Sequence, residues 1–258
     1  MIKKIALLAV LTALMGFRPT PTSTNEFIKS GEKLVFVASY NMSGIMTDIA
    51  EVKMETSTVK TKTRELLRLK CIASTYTKWD TYFRVRDLYE SYVDKNTLLP
   101  SLFKRNIEEG TYKKELKYLF NRKANKAVST LNKKGYNNYK TDVPIDANTL
   151  DIVSTIYKTR VLDFNSMQIG ERATHELIVD SAVQYVTVEY RGREFIDVAN
   201  LGKRECYKLS VAFGGSEIEN IKGGKYIWIT ADDDRLPALI KANIPVGAVQ
   251  IKLASFSK

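Results

Sequence analysis

Along most of the chain apolar and polar residues alternate with a period of two, the spacing of a strand with one buried face. In EKLVFVASYNM (32–42), Leu34, Phe36, Ala38 and Tyr40 share one side, as do Leu67, Leu69, Cys71 and Ala73 in LLRLKCIAS (66–74). Between Tyr112 and Phe120, the residues Tyr112, Leu116, Tyr118 and Phe120 fall together, with lysines mostly between them. VQYVTVEY (183–190) and CYKLSVAF (206–213) alternate again, and KYIWIT (225–230) runs into a polar turn. Turn residues separate these runs at Asp94–Asn96, Asn121–Asn125, Lys133–Asn138, Gly214–Gly215, Gly223–Gly224 and Asp232–Asp234. Strands joined by such turns, with no helical pattern between them, predict antiparallel pairing.

One segment has another period. From Asn148 to Phe164 the apolar residues Leu150, Val153, Tyr157 and Val161 recur at three- and four-residue steps, and Ile152 and Ile156 widen the stripe. This predicts a helix of about four turns, capped by Asn148 or Thr149, with Asp151 near its positive end. Its apolar stripe needs cover, which the concave side of a curved sheet supplies. The expected fold is therefore mainly β: a curved antiparallel sheet, an open barrel or β-roll, around one principal helix near residues 148–164. Residues 26–258 read as a single domain, with 134–148 as a possible boundary between halves 26–140 and 148–258.

The first residues fit neither pattern. Lys3 and Lys4 precede an apolar run from Ile5 to Phe17 broken only by Thr12 and Gly16, the physical form of a secretory leader. The run falls short of the ~20 residues that span a bilayer, so cleavage is expected, with residues 1–16 removed and 17–25 as an unstructured lead-in. The expected location is the periplasm or cell envelope of a Gram-negative cell, with no transmembrane segment left after cleavage. In that compartment Cys71 and Cys206 are able to pair; two separately buried thiols are the other reading.

The chain of 258 residues carries a net charge of +11, concentrated between Lys104 and Lys140, where 11 Lys or Arg face three acids. Aromatic residues interleave with that charge, a pattern that suits nucleic acid. Export argues against nucleic acid and for anionic lipid headgroups or acidic glycans; a solvated strand face is the plainer reading.

Catalytic chemistry finds little material. His175 is the sole histidine, and the zinc-protease pattern would require a second at position 179, which is Val. No G-x-S-x-G elbow, phosphate-binding glycine loop or calcium loop is present, so no metal or cofactor is expected. The strongest polar constellation is FRVRDLYESYVD (83–94) with the segment after it. Here Arg84, Arg86, Glu90, Tyr92 and Asp94 alternate onto one side, and Val85, Asp87, Tyr89 and Val93 onto the other. Arg105, on the expected return strand, would lie within reach of Glu90 or Asp87, with Glu109 nearby. Cross-strand ion pairs are the ordinary outcome of such a pattern. Lining a ligand cavity is a second, and glycan hydrolysis by Asp87, Glu90 or Glu109 a third.

At these residues the chain resembles the exported bacterial family known as domain of unknown function 3108. The likeness runs through Gly31-Glu32-Lys33-Leu34, Val85 to Asp94, Leu98-Leu99-Pro100, Phe103 with Arg105, and Glu109-Gly110-x-Tyr112. It continues in Asp151-x-x-Ser154-x-x-Tyr157-x-x-Arg160, Gly192-Arg193-Glu194, and Trp228-Ile229-Thr230 ahead of Pro237. The resemblance implies a curved antiparallel sheet or β-roll and no catalytic residues. The tail from Trp228 to Leu253 also looks like the last hairpins of periplasmic lipoprotein carriers of the LolA/LolB kind, which hold acyl chains in an unclosed barrel. The functional expectation is a non-enzymatic envelope protein binding an amphiphile or glycan, with Leu150, Val153, Ile156 and Tyr157 as a helical lid. Its rival is an assembly factor pairing with other envelope proteins.

Overall fold

The structure, a computed structural model, describes residues 25–42, 44–198, 201–214, 224–243 and 247–258. The expected leader and most of the lead-in lie outside these residues, as do Gly215 and Gly223 of two expected turns. The N-terminal half holds β1 (Lys33–Met42), β2 (Ile45–Lys60), β3 (Glu65–Thr75), β4 (Arg86–Val93), β5 (Pro100–Glu109), β6 (Tyr112–Asn121), β7 (Lys126–Lys133) and β8 (Tyr136–Pro144). The C-terminal half holds β9 (Leu150–Asp151), α1 (Ile152–Arg160), β10 (Arg172–Val179), β11 (Ala182–Val198), β12 (Gly202–Phe213), β13 (Lys225–Thr230), β14 (Pro237–Asn243) and β15 (Ala248–Ser257).

The 15 strands of the described residues form one sheet in the order β8-β7-β6-β5-β4-β3-β2-β1-β15-β14-β13-β12-β11-β10-β9. Every neighbouring pair is antiparallel except β9 with β10, where Leu150 and Asp151 lie opposite Leu177 and Ile178. Each half is thus a meander of hairpins, and the two meet where β1 pairs with β15. The expected curved antiparallel sheet with one principal helix is what the chain forms, and the sheet does not close into a true barrel.

Side chains finish what backbone pairing leaves open. The hairpin tip between β10 and β11, with Asp180 and Ser181 both in the left-handed region (φ 48° and 66°), reaches the inner face of β5–β7. There Asp180 Oδ1 accepts from Arg105 at 3.0 Å and Lys114 at 2.6 Å. The Ser181 hydroxyl meets that of Ser129 at 2.7 Å, and its N–H donates to the Tyr118 hydroxyl at 3.2 Å.

The helix is shorter than its pattern predicts. Leu150 belongs to β9, and Asp151 rather than Asn148 or Thr149 is the cap. Its Oδ1 accepts from the N–H groups of Val153 (2.9 Å) and Ser154 (2.8 Å), while Ser154 Oγ accepts from the Asp151 N–H at 2.9 Å. This reciprocal box satisfies donors that a helix start leaves orphaned. Pairing of β9 with β10 holds Leu150 and Asp151 extended and so sets where the helix begins. One flank of α1 sends Val153 and Tyr157 into a core shared with Leu34, Phe36, Leu69, Phe103 and Tyr118. The other faces β10–β14, whose Leu177, Val186, Val188, Leu209 and Val211 form a second cluster.

Candidate functional site

The polar constellation around β4 does not converge. Alternation carries Arg86, Glu90 and Tyr92 to the outer face and Asp87 and Tyr89 to the inner one, as the pattern predicts. The charges of β4 are already engaged. Arg84 pairs with Glu108 at 2.6 Å, Arg86 with Asp80 at 2.6 Å, and Glu90 with Arg68. Asp87 accepts from the Glu108 N–H at 3.1 Å and from the Tyr89 hydroxyl at 3.2 Å. Arg105 is not bound to Glu90 or Asp87. It stands opposite Tyr89 on the inner face, stacks on that ring at 5.3 Å and spends its charge on Asp180. Glu109 lies opposite Tyr112 at the end of β5. Ion pairing accounts for most of this cluster, with its carboxylates divided between two faces of a sheet.

A second polar network lies at the helix, and reasoning from the sequence missed it. Arg160 is fully buried and makes two 2.7 Å bonds to the Glu32 carboxylate, while its Nε donates to the Arg235 carbonyl at 2.8 Å. This two-pronged, charge-assisted geometry offsets the desolvation of both ions. It ties the end of α1 to the residue ahead of β1 and to the β13–β14 turn. At the helix start the Ser91 hydroxyl of β4 donates to Asp151 Oδ2 at 2.5 Å. Burial of Asp151 raises its pKa to about 6 despite these bonds. The only sequence signal for the network was that Glu32, Asp151, Ser154 and Arg160 fall within the family-like motifs.

His175, on β10, is half-buried with Nε2 lacking a hydrogen-bond partner, and desolvation, helped by the Lys158 charge, lowers its pKa to about 4. No group of three metal-ligating side chains occurs among the described residues. Asp232 accepts from Thr230 Oγ1 at 2.6 Å within the turn between β13 and β14, the hairpin role expected of that acidic run. Cys71 and Cys206 are both free thiols.

What the molecule does hold is an apolar cavity of about 230 Å³ between α1 and the C-terminal sheet. Ile152, Thr155, Ile156 and Thr159 form its helical wall, and Leu177, Val186, Val188, Val211, Ile227 and Ile240 are among the strand residues facing them. Both threonine hydroxyls are turned away from solvation of a guest. Thr155 donates to the Asp151 carbonyl at 2.7 Å and Thr159 to the Thr155 carbonyl at 2.9 Å. Lys225, opposite Ala242, also lines the cavity, while Lys241 borders it from β14 with its side chain on the other face. Each lies near an aromatic ring, Lys225 over Phe213 at 5.1 Å and Lys241 over Trp228 at 5.7 Å. Of the four expected lid residues only Ile156 lines the cavity. Val153 and Tyr157 point to the opposite core and Leu150 is in a strand, because the stripe is wide enough to serve two interiors.

The profile of the family described as "Protein of unknown function (DUF3108)" matches residues 36–254. The chain belongs to this family. No curated protein sequence matches it. The family member is similar in fold to the crystal structure of a beta-barrel-like protein of domain of unknown function DUF1849 from Brucella abortus. That match has a TM-score of 0.57 at 8% identity and covers 88% of this chain and 97% of the other. A candidate lipoprotein from Parabacteroides distasonis matches over 89% of this chain and 96% of its own at 9% identity, with a TM-score of 0.34 too low to bear on the argument.

Proposed function

We propose that this family member is an exported, non-enzymatic envelope protein that binds one single-chain anionic amphiphile beneath α1. The cavity of about 230 Å³ carries the reading. It exceeds the ~150 Å³ apolar void that stays dry and accepts benzene, and falls below the roughly 300–1,000 Å³ of pockets for drug-sized ligands. A single acyl segment suits that space, whereas a lipid with several chains does not. Apolar walls favour an amphiphile over a glycan, and Lys225 supplies the charge that an acidic headgroup would meet. Export rests on the cationic, apolar leader at residues 1–16. Against hydrolysis stand the placement of Glu90 on the face opposite Asp87, where Arg68 binds it, and the hold of the Glu108 N–H and Tyr89 hydroxyl on the Asp87 carboxylate.

Mass spectrometry of an organic extract of protein purified from its own cells tests this reading. A single-chain acid should accompany the wild type and be missing from Val211→Phe, which fills the void. A fluorescent fatty acid should bind in the same pattern, more weakly to Lys225→Glu. An extract free of amphiphile together with no fatty-acid binding would refute the reading.

A further inference from the structure

The outer face of β5–β8 sets a row of ammonium groups beside a row of aliphatic ones. Register places Lys104 opposite Lys117, Lys117 opposite Thr130, and Thr130 opposite Lys140. Like charges directly opposite one another repel. Among the described residues none of the three lysines makes an ion pair; Lys104 also stands opposite Glu90, whose carboxylate is bound by Arg68, and lies 5.7 Å from the Tyr92 ring. A polar cleft of about 360 Å³ runs between them, lined also by Asn106, Thr130, Asn132 and Asn138. Its one carboxylate, Glu115, takes a 3.3 Å bond from Asn132. Two residues further along the strands, about 7 Å away, Leu102 faces Leu119 and Leu119 faces Val128 on the same side. Leu119 is 52% exposed.

A fold that tolerates unneutralised lysines opposite one another calls for an external anion. The aliphatic row selects which. Single-stranded nucleic acid is held by successive aromatic platforms, and this outer row offers Leu102, Leu119 and Val128 with a single ring, Tyr92, at its β4 end. Short aliphatic side chains flanked by lysines suit the boundary between headgroups and acyl chains. We propose that the outer face of β5–β8 docks on an anionic phospholipid bilayer, with Lys104, Lys117 and Lys140 meeting phosphates while Leu119 enters the headgroup layer. This does not depend on what fills the cavity.

Co-sedimentation of protein purified from its own cells with vesicles tests it. Vesicles of equimolar phosphatidylglycerol and phosphatidylcholine should retain the protein and pure phosphatidylcholine should not. The triple variant Lys104→Gln, Lys117→Gln, Lys140→Gln should lose about a hundredfold in partitioning, and added salt should have the same sense. Leu119→Ser should weaken binding with every charge in place. All four side chains are exposed, so thermal unfolding of the variants should match the wild type. Equal binding to neutral vesicles, or a triple variant that sediments like the wild type, would overturn the proposal. So would retention on a sulfated polysaccharide resin with no vesicle binding, which would give the face to an acidic glycan.

Discussion

The two halves of the sheet are built alike, as meanders of hairpins with apolar residues turned inward, yet one is filled and the other is not. In the N-terminal half long and aromatic residues fill the interior around a few small ones. Leu69 has no exposed surface, and Phe103 stacks on Tyr118 with centroids 5.2 Å apart. The C-terminal half keeps its aromatic packing at one end, where Phe164 lies 4.5 Å from Tyr207. Under α1 it presents Val186, Val188, Val211 and Ala242 instead, with threonines on the facing helix. Curvature is common to both halves, so side-chain length decides which becomes core and which becomes cavity. The helix separates them, and its two flanks serve the two interiors.

The largest test of that contrast is at Arg160, where helix, β1 lead-in and β13–β14 turn are joined. Arg160→Ala leaves Glu32 buried without its counter-ion, a loss of about 3–5 kcal/mol. For a chain of this size that lowers Tm by roughly 10 °C. Hydrogen exchange then distinguishes two outcomes. Protection lost across both halves means that the pin holds the sheet as one unit. Loss confined to β10–β14 would show that the filled half stands without the helix, and the contrast would become one between two independent units.

A second pair of substitutions works within the halves. Leu69→Ala should cost about 2–5 kcal/mol in denaturant unfolding, because its packed surroundings cannot collapse onto the void. Val211→Phe should cost less than about 1 kcal/mol, since the space it enters is empty, whereas overpacking a filled core typically costs about 1–3 kcal/mol. Similar penalties at both sites would mean that the cavity is core after all.

Much of the contrast was hidden in the chain, for reasons that differ residue by residue. Period-two alternation in VQYVTVEY and CYKLSVAF marks both as strands with one buried face, from local geometry alone, and the structure turns Val186, Val188 and Val211 inward. Whether an inward Val meets a partner or a void depends on what stands across the interior, here Ile156 and Thr159, which no local pattern reports. The helix was legible from its stripe, but its start was set by pairing of Leu150 and Asp151 with β10. Arg105 was placed on the right strand, yet its partner Asp180 is 75 residues away at a hairpin tip. The pairing of Glu32 with Arg160 spans 128 residues and was equally out of reach.

The last test is a matter of pH at the junction of the halves. Asp151 is buried, and desolvation raises its carboxyl from 3.8 to about 6 in the folded chain. Between those values the folded state holds a proton that the unfolded state releases. The stability this group contributes is present below about 4 and is lost as pH rises through 6. His175 runs the other way. Its pKa falls from 6.5 to about 4, so its contribution is present above 6.5 and is lost as pH drops toward 4. The two slopes oppose each other over most of one window, and the wild-type profile should be nearly flat there. Asp151→Asn retains an oxygen for the Val153 and Ser154 N–H groups and an amide to face Ser91, while removing the titration. Denaturant unfolding across pH 4 to 6.5 should therefore show the variant gaining on the wild type by on the order of 2 kcal/mol as pH rises. His175→Gln should gain as pH falls, because it sheds the cost of protonating a buried ring. An Asp151→Asn profile parallel to the wild type would mean that water reaches the helix start. The seam between the filled and open halves would then be wet rather than packed.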